Sequence, residues 1–474
     1  MKHILTIAND EIRYWRRSKL AVGVLAVGVM LTLASLLLTN ARMAEAAHKR
    51  AELQTEAHDT FLAQPARHPH RMVHYGHYVF RTPPPLSAID PGVDAVTGTS
   101  IFLEGHRQNT AMFAERRQSA GLAVFGDLTP AFCLQVLAPL LLILVGFASV
   151  AREREARTLD LLTAQGVSLQ SMVFGKAIAL MAVGAVMIAP LAIAALLSGE
   201  SFAIASLFSA GYGLYLIAWC SLTVFVSAQV KQPNMSLALL FGVWALVVVL
   251  TPRIASSTAA TVVDAPGKIA TDFAMFTALR EVGDGHNAAD PAFQKLRANL
   301  LAQYNVDSVE ELPINIRGVV AGEAEAQLTD VMNDFADRRM QNEAAQANVA
   351  RQFAWISPLL AIRNLSATLA GVDLETHHRF LREAERVRFD FVQGLNKVHA
   401  EVLTYKDDMR RSSDPAAEKR TRVSAENWKV LEDFRFEPAS AVERIKRAFS
   451  PLSILLLWIG AIIALITTVK RREI

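Results

Sequence analysis

The sequence predicts an all-α polytopic membrane protein, with six transmembrane helices and two extracytoplasmic insertions, the second mainly helical. Three observations lead to that fold class. The 474 residues are 52% hydrophobic, at the apolar end of what a folded chain carries. Six runs contain no Lys, Arg, Asp, Glu or His, and each matches the ~20 apolar residues a helix needs to cross the hydrocarbon core while satisfying its own backbone. Basic residues gather at the ends of those runs in the pattern of cytoplasmic flanks.

Taken in order, residues 1–19 place Ile4, Ile7, Ala8, Ile12 and Trp15 near one helical face with charges opposite, the pattern of a cytoplasmic interfacial helix. The first span covers 20–39. Its apolar run is longer than a signal peptide's and no small-residue cleavage site follows, so it is expected to stay in the membrane. The first extracytoplasmic insertion, 40–127, opens with a polar, Ala-rich helical stretch from Ala41 to Leu62. It becomes extended where HPHRMVHYGHYVFRTPPPLSAIDPG holds too much Pro and Gly for one helix. The second span, 128–151, leads into a charged segment, 152–176. Three further spans follow, at 177–199, 201–230 and 232–252.

The second insertion, 253–449, mixes charged and apolar residues at helical spacing over Phe335 to Phe353, Thr376 to Met409 and Ser424 to Ala448. Such helices are expected to pack together and stand on the sixth span, 450–469, which ends in the tail 470–474. Within this insertion, FAWISPLLAIRNLSATLAG from Phe353 to Gly371 tempts a seventh span. Arg363, Asn364 and Pro358 near its middle, and the basic tail that a seventh span would put outside, favour a core or membrane-surface helix of the outer domain.

Orientation follows the basic flanks. Lys2, Arg13, Arg16, Arg17 and Lys19, then Arg152, Arg154, Arg157 and Lys176, then Lys470, Arg471 and Arg472 all fall on one side of a six-span chain, which is read as the cytoplasm. Both termini are expected there, with the large loops outside a cell (inner) membrane. The turn at Gly199 to Phe202 carries Glu200 and no basic residue, as an outer turn should.

Composition and motifs exclude several functions. A net charge of +3 without a basic block outside the membrane flanks argues against nucleic acid as a partner. Cys133 and Cys220 both lie in apolar runs, so the loops have neither a disulfide framework nor a cysteine metal site. No GxxxxGK followed by Ser or Thr occurs, and no nucleophile elbow or HExxH helix is present; the chain is expected to be non-catalytic. The spans hold no embedded acid, which disfavours a proton relay and points to energy supplied from outside the chain. His68, His70, His74 and His77 fall within ten residues, with His377 and His378 in the second insertion. Imidazoles can hold copper or zinc. This spacing matches no closed site and no Cys or Met cluster accompanies it, so no tight metal site is expected from these four.

The segment AREREARTLDLLTAQGVSLQSMVFGK, Ala151 to Lys176, is the strongest local signal. Leu159 and Leu162 share one face of a short helix, Glu153 and Arg157 stand four apart as a favourable pair, and Gly166 is a helix stop. Read from pattern alone, it is either a charged loop or a helix for a cytoplasmic partner to grip. Glu153, Arg154, Glu155, Thr158, Leu159, Leu161, Leu162, Gly166, Val167, Ser168, Gly175 and Lys176 together resemble the coupling segment of ABC-2 type transporter permeases. HYGHYVFRTPPPLSAIDPGVDAVTGTSIFLEGHRQN and SPLLAIRNLSATLAGVDLETHHRFLREAE are similar to a long-loop subgroup of those permeases, with large extracytoplasmic domains of unknown function.

The resemblance implies a permease subunit that moves a substrate, or does conformational work outside the membrane, using ATP and Mg bound by a separate cytoplasmic ABC ATPase dimer. It implies a second permease subunit, self or paralogue, alongside membrane lipid and an extracytoplasmic protein partner. Glu153, Arg154, Glu155, Thr158, Leu159, Leu162 and Gly166 would then be the ATPase-coupling residues. The competing expectation is a membrane-anchored scaffold or signalling protein acting through its outer domains, linked to copper or other metal handling.

Overall fold

The computed structural model describes residues 2–112, 128–282, 291–428 and 434–468. Among them, six helices are long and apolar enough to cross a membrane: Leu20–Leu62, Pro130–Glu155, Leu169–Leu197, Phe202–Gln229, Pro233–Val262 and Ala441–Thr467. The chain is an all-α polytopic membrane protein. The tail 470–474 and residues 113–127 of the first insertion lie outside the described residues.

Two spans run well past their apolar limits. The first is one helix of 43 residues, about 65 Å at 1.5 Å per residue, against roughly 30 Å of hydrocarbon. Nothing in its Ala-, Glu- and Lys-containing second half breaks a helix, so it stands far beyond the bilayer. The fifth passes through Pro252 because a wide π-turn, Ala245–Leu250, precedes that residue. The Thr251 hydroxyl donates to the Leu246 carbonyl there (2.8 Å), giving a backbone acceptor a local partner.

The segment from Phe353 to Gly371 is neither a seventh span nor a helix of the insertions' own core. Its helix, Pro358–Ala370, has 13 residues, about 20 Å, too short to cross. Leu359, Ile362, Leu365 and Leu369 belong to the same buried cluster as the spans. Ser357 Oγ donates to the Val247 carbonyl of the fifth span (2.8 Å), and Trp458 Nε1 of the sixth span donates to the Ala354 carbonyl (3.2 Å). Trp458 lies eight residues, about 12 Å, beyond Ser450. At the helix's other end, Arg444 donates to the Leu369 carbonyl (2.9 Å) and pairs with Glu200 (2.8 Å) of the turn between the third and fourth spans. The chain dips between the spans and climbs back. Backbone at that depth is tolerated because neighbouring helices cover it.

Outside the bundle the two insertions share a core. Strands β1, His77–Phe80, and β2, Ser100–Leu103, pair antiparallel with His77 opposite Leu103. Two four-residue strands cannot bury their own apolar face. Val79, Ile101 and Leu103 therefore join Phe380, Phe391, Leu395 and Trp428 of the second insertion, with Phe61 from the end of the first helix. The helices Ile316–Gln352 and Leu374–Val402 frame this core. The helix expected through Met409 stops at Val402, and Thr404 caps a new one, Tyr405–Arg410. The last span begins at Ala441, capped by Ser440.

Candidate functional site

The charged segment after the second span folds as two short pieces. The second span ends in Ala151–Glu155, Arg157 takes a left-handed conformation (φ 59), and a second helix, Thr158–Ala164, follows. The break removes the expected Glu153–Arg157 pair, because i,i+4 neighbours face each other only within one continuous helix. Gly166 ends the second piece with φ +86, a conformation that favours glycine. Ser168 then caps the third span, accepting from the Ser171 amide (3.1 Å).

Glu153 instead turns inward. Its carboxylate receives Lys176 Nζ (2.9 Å) and the Thr158 hydroxyl. Lys176, only 4% exposed, also reaches Glu11 Oε2 (3.0 Å) and the Ser149 carbonyl (2.5 Å). Arg152 pairs with the same Glu11 and lies over the Tyr14 ring at 3.7 Å. Arg154 donates to the Val230 carbonyl at the end of the fourth span (2.7 Å). The N-terminal helix, Lys2–Ser18, is thus locked to the second and third spans by a buried ion cluster. Gly175 makes that contact possible: a Cβ there would lie 2.8 Å from the Ile4 carbonyl, a backbone atom that cannot swing aside.

Sequence reasoning missed Glu11. Its partner Lys176 is 165 residues away. The available signal was an acid on the apolar stripe of the N-terminal helix, four residues from both Ile7 and Trp15.

The structure also separates the candidate coupling residues into two sets. Leu159 is buried in the chain's own core and Leu162 packs against it; Glu153, Arg154 and Thr158 make the internal contacts above. Glu155, Arg157, Asp160, Leu161 and Gly166 are exposed. Leu161, at 65% exposure, is the large apolar side chain that this surface presents.

A second polar assembly lies among the spans. In a π-turn of the second span, Cys133–Leu137, Gln135 donates to the Tyr212 hydroxyl (2.9 Å), and its carbonyl accepts from Tyr215 (2.7 Å). Tyr212 meets Ser366 of the dipping helix (2.9 Å), and Ser366 reaches Asp90 of the first insertion. The spans are uncharged in sequence, yet the insertions bring Asp90 and Arg363 to them; Arg363 Nε lies 3.4 Å from Gln135 Oε1. A cleft of about 1440 Å³ opens between the extended first helix and the β-hairpin. It shares Asn40, Pro85 and Ala88 with a second space of about 760 Å³ between the first and third spans.

The four clustered histidines part company. His68 caps the helix Pro69–Val73, its Nδ1 accepting from the His70 amide (3.1 Å), so its Nε2 carries the proton donated to Asp408 Oδ1 (3.1 Å). His399 and Asn315 hold the other carboxylate oxygen at 2.8 and 3.2 Å. His77 packs on the Phe61 ring (4.8 Å). His70 and His74 face each other at 3.3 Å. Burial pulls the imidazoles of His68, His77 and His377 down to about 4. Burial alone would raise Asp408, but its hydrogen bonds from His399 and His68 outweigh that and hold it well below the usual carboxylate range.

These histidines set a pH window. Their depressed values mean that the stability of the neutral fold is fully present above pH 6.5 and is lost as pH falls toward 4, where the unfolded chain takes protons that the fold refuses. Each contributes up to roughly 3 kcal/mol. Hydrogen exchange in Leu374–Val402, corrected for intrinsic rates, is expected to show lower protection at pH 4.5 than at pH 7. Equal protection at both would contradict the burial argument.

Residues 272–437 match a domain of unknown function, DUF3526. No curated protein and no solved structure matches the chain. The matched stretch holds the dipping helix and Asp408 with its partners His399 and Asn315; His68 and the charged segment 152–176 lie outside it.

Proposed function

We propose that this chain is the non-catalytic, membrane-spanning permease subunit of an ATP-driven transporter of the ABC-2 type. A cytoplasmic ATPase dimer binds ATP and Mg and presses on the Thr158–Ala164 helix. A second permease subunit, self or paralogue, completes the membrane dimer. On this reading the termini and the coupling helix are cytoplasmic, and the insertions face outward from the inner membrane.

The observation that carries the reading is the mounting of that helix. One side is anchored through Leu159, Thr158 and Glu153 to Lys176 and Glu11, so a push is passed to the second and third spans and to the N-terminal helix together. The other side offers Leu161 among charges. The cleft between the first helix and the hairpin, with its extension between the first and third spans, is the place for cargo or for a partner outside the membrane.

The test separates the two leucines. Burying a leucine at a partner's surface contributes roughly 1.5 to 3 kcal/mol, about 10- to 150-fold in affinity. Leu161→Asp should therefore reduce copurification of the ATPase by at least tenfold, with insertion and thermal stability unchanged. Leu159→Asp should lower the chain's own stability, because the aspartate enters its core. Normal ATPase association and turnover in Leu161→Asp would remove the reading's main support.

A further inference from the structure

The geometry assigns a metal site to His70, His74 and His106, on the outer face of the shared core. One nitrogen from each ring lies within 4.8 Å of the others. His74 follows the helix Pro69–Val73 and stands four residues after His70, so both rings leave the same side of one turn. Their Nε2 atoms are 3.3 Å apart. A tetrahedral ion with Zn–N bonds of 2.0–2.1 Å sets its ligands about 3.3 to 3.4 Å apart, so this pair is already at chelating distance.

The third ligand is placed by the turn after β2. Gly105 donates its amide to the Val73 carbonyl (3.0 Å), and a Cβ at Gly105 would strike Val73 Cγ1 at 2.1 Å. Only glycine lets the turn lie this close to the histidine helix. His106 follows in a left-handed conformation (φ 60), with its ring centroid 5.1 Å from that of His74 and 5.8 Å from that of His70.

His106 is also oriented from behind. Its Nδ1 meets Glu325 Oε2 at 2.7 Å, and Glu325 is held by Arg388. A carboxylate on one ring nitrogen fixes the imidazole and makes the other nitrogen more basic, the usual support for a metal-bound histidine. Three neutral imidazoles suit Zn²⁺ or Cu²⁺. His70 and His106 are half-buried and His74 is exposed, which leaves the outward side of the ion open to water or an incoming ligand.

The neighbouring group of His68, His399 and Asp408 does not share this role. It is fully buried, and Arg317 and Arg411 both lie 3.5 Å from Asp408, where they would repel a cation. Its carboxylate is already occupied by two imidazoles and Asn315.

The test is metal binding by the full-length protein in detergent, independent of transport. Titration with Zn²⁺ alone against a competing chromophoric chelator should show one equivalent bound per chain at submicromolar affinity. Co²⁺ should give the strong visible absorption of a tetrahedral site. His74→Ala and His106→Ala should each weaken Zn²⁺ binding at least a hundredfold with the far-UV spectrum intact, whereas His48→Ala, on the exposed part of the first helix, should leave it unchanged. Wild-type binding weaker than about 10 μM, or stoichiometric binding that survives His74→Ala, would overturn the assignment.

Discussion

Lys176→Met should destabilise the chain by about 3 to 5 kcal/mol, the loss expected when one partner of a buried ion cluster is removed and the opposite charge stays behind. Lys176 is the cation that Glu11 and Glu153 share, at 3.0 and 2.9 Å. Arg152 still covers Glu11, but Glu153 keeps only the Thr158 hydroxyl and a longer contact to Arg152 at 3.5 Å. The N-terminal helix should loosen first, because Glu11 is its one buried charged side chain among the described residues. Denaturation in detergent should give the loss, and hydrogen exchange over Lys2–Ser18 should locate it. Adding Glu153→Gln to Lys176→Met should recover part of it, since the stranded charge is then gone. A change below about 1 kcal/mol with the N-terminal helix still protected would show that the cluster does not hold that helix.

Arg388→Met should be as damaging at the other end of the molecule. Arg388 is 1% exposed. It spans the helices Ile316–Gln352 and Leu374–Val402, donating to Glu325 Oε1 (2.5 Å), to both oxygens of Glu385 (2.7 and 2.8 Å) and to the Thr329 hydroxyl (2.8 Å). Burial, only partly offset by Arg388, pushes the Glu385 carboxyl up; at Glu325 burial acts the same way, but the hydrogen bond with His106 and the Arg388 charge outweigh it and pull the value down. Methionine fills the space and leaves two buried carboxylates, a loss of about 3 to 5 kcal/mol. Arg388→Lys should lie between, because an ammonium keeps the charge without the planar fork. Chemical denaturation followed by tryptophan fluorescence of Trp428 would measure both. Equal stability of wild type and Arg388→Met would mean that the network contributes nothing net.

The six spans were legible because a charge-free run of ~20 residues has one stable solution in hydrocarbon, and distant residues do not alter it. The position of the charged segment after the second span was legible for a similar reason: its stop glycine acts within a few residues. Which leucine it presents was not. The phase of its second piece depends on the left-handed turn at Arg157, and that turn is held by Thr158 and Glu153 through Lys176.

Other features belong to tertiary structure alone. The Glu11–Lys176 pair, the meeting of His106 with His70 and His74, and the burial of the Pro358–Ala370 helix among the spans each join residues far apart in the chain. Hydropathy and local periodicity carry no information about such partners. The sequence by itself determined the six charge-free spans and the stop at Gly166, because solvation and backbone geometry act locally. Tertiary packing decided which charges are buried and paired, and it joined the two insertions in a common core because the two short strands could not bury their apolar face alone.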